Sequence, residues 1–306
     1  MPTVDTDIIC SRATDWFYTD LAERLWGDLP EVHRARTRLW DGPDWLRATP
    51  APRVVVVNWV ETIHDPRLSP AEVAAFMSKV NSVPERALVA AECVSVVWFE
   101  RQLDGPDWTA IIDVGWQPQT PLPAVAAKYR FLHYAPTQAE QAVLAQVRAV
   151  RPETFAARPL PWAVVGALTP ERAALVAALA DWQPHGFAFL PPGEPFQVRA
   201  DRGRLDRARL ARVLRQSRFY IWTSHHAHPY FESFRVLDAL LSGACPVKLD
   251  ARHASRLRHL GCVLTDVEEL RRTGTPTWAA ERITALCDQL LAQPTLGKAF
   301  ATLWWE

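Results

Sequence analysis

RFYIWTSHHAHPYFESFRVLDALLSGACPVKLD, residues 218–250, decides how the chain is read. RFYIWTS (218–224) is an aromatic and β-branched run of the kind found in buried strands. FRVLDALLSG (234–243) carries apolar residues at helical spacing and stops at a glycine, and ACPVKLD (244–250) is a second apolar run. Strand, loop, helix and strand in that order make one step of a parallel α/β layer. Arg235 and Asp238 are out of place on a buried helix face. Near the start of the helix they make sense, because the N-terminal N–H groups and the positive end of the dipole attract anions there.

Working outward, the same alternation fills the second half. WAVVGALTPERAALVAALADW (162–182) reads as a strand, a turn at Gly166 and a helix with Thr169 as N-cap and Pro170 at its first position. GFAFLPPGE (186–194) is the next strand and LDRARLARVLRQS (205–217) an amphipathic helix. RLRHLGCVLTDVEEL (256–270) holds a strand centred on Cys262, and ERITALCDQLLAQ (281–293) is a late helix. The first half is less regular. Residues 12–50 read as helical with Trp-rich connections, RVVVVNWV (53–60) as a strand covered on both faces, SPAEVAAFMSKV (69–80) as a capped helix and WTAIIDVGW (108–116) as a strand; ALVAAECVSVVWFE (87–100) fits either state. The proline-bearing RPETFAARPLPW (151–162) reads as a linker. It divides the 306 residues into domains 1–155 and 156–306, each of ordinary size.

Composition narrows the class. With 49% hydrophobic and 22% charged residues the chain is an ordinary globular one, and 34 basic against 34 acidic residues give no overall field that would favour nucleic acid. Five cysteines without CxxC spacing point to a reducing, cytoplasmic setting. No apolar run approaches the ~20 residues of a membrane span. The Walker, nucleophile-elbow, zincin and dinucleotide fingerprints are all missing, so NTPase, hydrolase and dinucleotide-dependent readings lack their motifs.

One resemblance remains. The aromatic strand RFYIW, the loop SHHAHPYFE, the helix start S233-F-R-V-L-D-A239 and GACPV (243–247) together resemble the nucleotide-sugar-binding segment of GT-B glycosyltransferases, in particular exostosin-type, fucosyltransferase-type and spore-maturation-type bacterial enzymes. VGALTPER (165–172) is similar to the turn and Arg that open the same domain. The resemblance implies two Rossmann-like, doubly wound α/β domains facing across a cleft, with the last helix crossing back to the first. It implies transfer of a sugar from a UDP-sugar or GDP-sugar to a glycan, protein or small-molecule acceptor, with no metal and no further cofactor; the poor fit to the paired-Glu pattern of retaining enzymes favours inversion. Gly166, Arg172, Ser224, His225, His226, Tyr230, Glu232, Ser233, Phe234, Arg235 and Asp238 are then expected around the donor. Arg235 would meet the diphosphate, which needs positive charge rather than covalent chemistry as it departs, and Asp238 the ribose.

Other readings of these residues stay open. Arg235 and Asp238, three apart, could form an ion pair on the helix surface. Glu232 sits two positions late for the paired-Glu pattern of retaining enzymes, where Tyr230 stands instead. His225, His226 and His228 could be metal ligands, but a closed site wants more ligands than this loop offers. For the general base, Glu61 and His64 at the end of the 53–60 strand are the first candidates, with Asp113 and Glu92 behind them. Trp59 and Trp116, at strand ends, could stack on an acceptor. A non-catalytic binding protein that kept the GT-B core is the alternative to an enzyme.

Overall fold

The computed structural model describes residues 3–13, 17–92, 97–192, 205–223 and 229–306. Chain contacts separate two compact units: Met1–Thr137 with Pro294–Glu306, and Gln138–Pro195 with Gly203–Gln293. Residues 138–155, expected at the end of the first domain, therefore pack with the second. The supposed linker is itself structured, with a short helix at Pro152–Ala156 followed by a strand from Leu160.

The first unit holds a six-stranded parallel sheet of β1 (Thr6–Cys10), β2 (Thr37–Asp41), β3 (Arg53–Val57), β4 (Glu85–Ala90), β5 (Ala110–Gly115) and β6 (Tyr129–His133), in the order β2-β1-β3-β4-β5-β6. The second holds β7 (Leu160–Val165), β8 (Phe187–Phe189), β9 (Ser217–Thr223), β10 (Cys245–Leu249) and β11 (Val263–Leu264), in the order β11-β10-β9-β7-β8. Every pairing is parallel. Read from the β8 edge, the second sheet repeats the winding of the first with one strand fewer. In both, the chain reverses its direction of winding once: between β1 and β3, and between β7 and β9. Such a switch point leaves a crevice at the carboxyl ends of the strands, where doubly wound sheets bind ligands.

Two expectations for the first half fail. β1 and β2 lie where the sequence reads as N-terminal tail and helix, and the 53–60 run stops being a strand at Val57. Asn58 turns the chain with φ +57°, and its Oδ1 caps a helix over Trp59–Ile63 by accepting from the Glu61 N–H. Asn tolerates this left-handed turn better than most residues, and its short amide can also cap the helix that follows. ALVAAECVSVVWFE contains both states, β4 and then a helix at Val97–Leu103.

The last helix, Leu296–Trp305, packs within the first unit. The Gly297 N–H donates to Asp28 Oδ2 at 2.7 Å, and Trp305 stacks on His33 at 4.5 Å between ring centres. Cys10, Cys245, Cys262 and Cys287 are buried free thiols.

Candidate functional site

Two arginines of the second unit, Arg172 and Arg235, come together at the β7/β9 switch point. Arg235 lies in the first turn of the helix Ser233–Leu241, and its Nη1 donates to the Val165 carbonyl at the end of β7 (3.0 Å) and to Tyr220 Oη of β9 (2.5 Å). Arg235 thus makes no ion pair with Asp238. The guanidinium faces the strand ends, with the Phe234 ring 5.4 Å away, and its buried Nε has no hydrogen-bond partner. Asp238 is half-buried and close enough to Tyr220 to oppose its ionisation.

Arg172 comes from the helix Pro170–Trp182, capped by Thr169, and donates from Nη1 to the Ala167 carbonyl at 2.8 Å. It is 5% exposed. Burial, and after it the charge of Arg235, push its pKa down from the ordinary arginine value. An arginine does not deprotonate here. With Arg235 close by, two positive charges share a poorly solvated place, and the Glu232 carboxylate partly offsets them. Gly166 makes room for Arg172: it sits at φ +158°, and a Cβ there would lie 3.0 Å from Arg172 Cζ and Nη1.

Glu232, expected to face a donor, points inward. Its Oε2 accepts from Trp222 Nε1 (3.0 Å) and from Lys248 Nζ (3.0 Å), while Oε1 is buried without a partner. Lys248, in the middle of β10, is fully buried, donates also to the Tyr230 carbonyl, and lies 3.7 Å from Asp250 Oδ2. The charge of Lys248 and then that of Arg235 hold the Glu232 carboxyl below the usual range against the opposing effect of burial. Sequence reading missed Lys248, because one lysine in an apolar run reads as the exposed end of a strand. Ser233 is buried at the helix start, and Tyr230 is nearly so. Ser224, His225, His226 and His228 lie outside the described residues. Among the described residues no group of three His, Cys, Asp or Glu side chains is placed to hold a metal ion.

In the first unit the expected residues scatter. Trp59 does not offer a face to a ligand: it is fully buried between Phe76 and Trp108, and its Nε1 donates to the Asp104 carbonyl. Glu61 follows the Asn58 turn into the interior and is 1% exposed, whereas His64, the C-cap of the same short helix, reaches the surface with Nδ1 2.9 Å from the Val60 carbonyl. Trp116 is nearly buried, 5.6 Å from His133 between ring centres, and burial lowers the His133 pKa. Asp113 accepts from Tyr129 Oη (2.5 Å) and Gln119 Nε2 (3.2 Å), and burial pushes its carboxyl up to about 6. On the adjacent strand end, Glu92 accepts from Tyr18 Oη, and Gln119 Nε2 also donates to the Glu92 carbonyl.

No protein-family model and no curated sequence matches the chain. Solved structures do. Anabaena HepE in complex with UDP superposes with a TM-score of 0.50 at 12% identity, covering 98% of this chain and 99% of that one. An α1,3-fucosyltransferase with GDP-fucose gives 0.45 at 10% identity, over 99% and 90%. The fold is GT-B. Two Rossmann-like units of parallel sheet with matching winding are its framework, and the arginine pair occupies the switch point of the second. Among the described residues no helix of this GT-B chain is long and apolar enough to cross a membrane.

Proposed function

We propose that the chain is a glycosyltransferase that takes its sugar from a nucleoside-diphosphate donor held by the second unit. The observation that carries this reading is that Arg172, packed against Gly166, and Arg235, bonded to the adjacent Val165 carbonyl, come together beside the N-terminus of the helix Ser233–Leu241. Two cations beside the positive end of a helix dipole suit a diphosphate. That group needs charge stabilisation as it leaves, and a preorganised site provides it without reorganisation. Asp238, one turn further along, suits a ribose hydroxyl. The similar solved structure of Anabaena HepE is a complex with UDP, which fits the same reading.

The acceptor, a glycan, protein or small molecule, falls to the first unit, and the transfer inverts the anomeric centre without a metal. Of the two first-choice bases, His64 suits the role better. It is exposed, and its Nδ1 lies 2.9 Å from the Val60 carbonyl, a contact that orients the ring at the end of its short helix. Replacing His64 by Ala is expected to lower kcat at least tenfold with donor affinity unchanged.

Thermal stabilisation by UDP, GDP and their sugars, followed by assay of nucleotide release, tests the whole reading. A ligand at a hundred times its Kd stabilises the fold by about 2.7 kcal/mol. Failure of every nucleoside diphosphate to shift the melting temperature sinks the donor site; binding without turnover across acceptor classes would instead favour a binding protein that kept the GT-B core.

A further inference from the structure

The second unit contains a fully buried lysine that the proposed donor chemistry does not use. Lys248 stands on β10, at the register position of Trp222 on β9 and Val263 on β11, beneath the start of the helix that carries Arg235. Burying an ammonium costs several kcal/mol unless it is paired and well bonded. Here it is given Glu232 Oε2 and the Tyr230 carbonyl, with Asp250 at 3.7 Å. Its partner is the informative part. Glu232 is the residue immediately before the helix, its carbonyl accepts from the Arg235 N–H at 3.1 Å, and its carboxylate is close enough to act electrostatically on both Arg235 and Arg172. One of its oxygens is bonded only to Lys248 and Trp222 and the other is an unpartnered buried acceptor. A carboxylate so placed, left to itself, would be the natural counter-ion of Arg235.

We infer that Lys248 is a positioning residue for the anion site: it engages Glu232 from below, so that Arg235, bonded to the Val165 carbonyl and the Tyr220 hydroxyl, keeps its charge for a ligand instead of spending it on an internal carboxylate. The inference rests on the proposed donor reading and adds a residue to it. Lys248 touches no ligand. It acts through Glu232, and the balance of charge is what reports it.

The test measures affinity for UDP, GDP and inorganic pyrophosphate by calorimetry, with melting temperature alongside. Lys248→Met is expected to weaken anion binding at least tenfold. Lys248→Met combined with Glu232→Gln is expected to bring affinity back to within about threefold of the parent, since the released carboxylate is gone. Glu232→Gln alone keeps the lysine and is expected to tighten pyrophosphate severalfold, which keeps the idea open to refutation if Lys248→Met fails to fold. A lysine that only fills the core would lower the melting temperature in Lys248→Met with affinity unchanged, and Glu232→Gln would then rescue nothing; either result overturns the inference. A parent protein that binds none of the three anions removes the donor reading and this inference together. A parent that binds them while the variants bind equally well removes only this inference.

Discussion

The two sheets are wound alike, yet their switch points are furnished in opposite ways. At the β1/β3 end of the first, Arg67 is saturated with carboxylate: Nε and Nη2 bond Asp65 at 2.9 and 2.6 Å, and Nη1 and Nη2 bond Asp41 at 2.6 and 2.8 Å, while Ser11 Oγ donates to Asp65 from the end of β1. At the β7/β9 end of the second, Arg235 bonds the Val165 carbonyl and the Tyr220 hydroxyl. A guanidinium forked onto two carboxylates has its charge consumed and ties a loop down. One held by neutral acceptors is positioned with its charge intact. Equal topology therefore does not make equal sites. The difference is in the partners of the arginines.

The largest effect should come from breaking the saturated side. Arg67→Ala leaves Asp65, 2% exposed, with Ser11 in place of its charged partner; because Arg67 itself is 42% exposed and solvent screens the pair, the cost is about 2–3 kcal/mol. Urea unfolding should show that loss, with nucleoside-diphosphate affinity of the folded protein unchanged. Arg235→Ala should do the reverse. Its donor affinity is expected to fall about a hundredfold, or about 2.7 kcal/mol, while the unfolding midpoint moves little. If the two variants exchange these behaviours, the contrast between the switch points is wrong.

How far these sites were legible in the sequence follows from the same contrast. The second unit announced itself because its strands and helices alternate locally, so RFYIWTS, FRVLDALLSG and ACPVKLD could be placed from their own periodicity. β1 could not. Its Asp7 is fully buried, and the donors that make this tolerable are Arg38, Trp40 Nε1, Trp45 Nε1 and the Ala51 N–H, 31 to 44 residues away. Local pattern treats a buried charge as a surface residue until its distant partners are known. Lys248 was hidden for the same reason, with Glu232 16 residues before it. Trp59 was misplaced by a smaller error, the strand ending three residues sooner than its apolar run.

Asp113 extends the comparison to a carboxylate without a cation, and its effect is smaller. Burial raises its pKa from 3.8 to about 6, so the folded state favours the protonated acid. The stability this gives is complete below pH 4, the unfolded value, and is lost as pH rises through 6. Between pH 4 and 7 the parent should lose on the order of 2 kcal/mol relative to Asp113→Asn, because a shift of about two units corresponds to a little under 3 kcal/mol. Unfolding curves across this range that run parallel for the two proteins would show that Asp113 titrates normally.

The smallest change should divide stability from binding most cleanly. Gly166 and Gly243 both hold backbone angles unfavourable to other residues, φ +158° and +69°, and each lies against an arginine: a Cβ would come within 3.0 Å of Arg172 Nη1 in the first case and 2.5 Å of Arg158 Nη2 in the second. Alanine at either position should cost about 1 kcal/mol or somewhat more from backbone strain. The arginines differ in what they do next. Arg158 bonds the carbonyls of Leu214, Ser217 and Ser242, at the opposite end of β9 from the arginine pair, so Gly243→Ala should lower the melting temperature and leave anion affinity alone. Arg172 is half of the arginine pair, and moving its guanidinium by a few tenths of an ångström disturbs the spacing a diphosphate would span. Gly166→Ala should therefore lose about fivefold in affinity for UDP or pyrophosphate at a stability cost like that of its counterpart. Equal affinities in the two glycine variants would mean that Arg172 is held where it is for the fold, and that Arg235 and the helix N-terminus carry the anion alone.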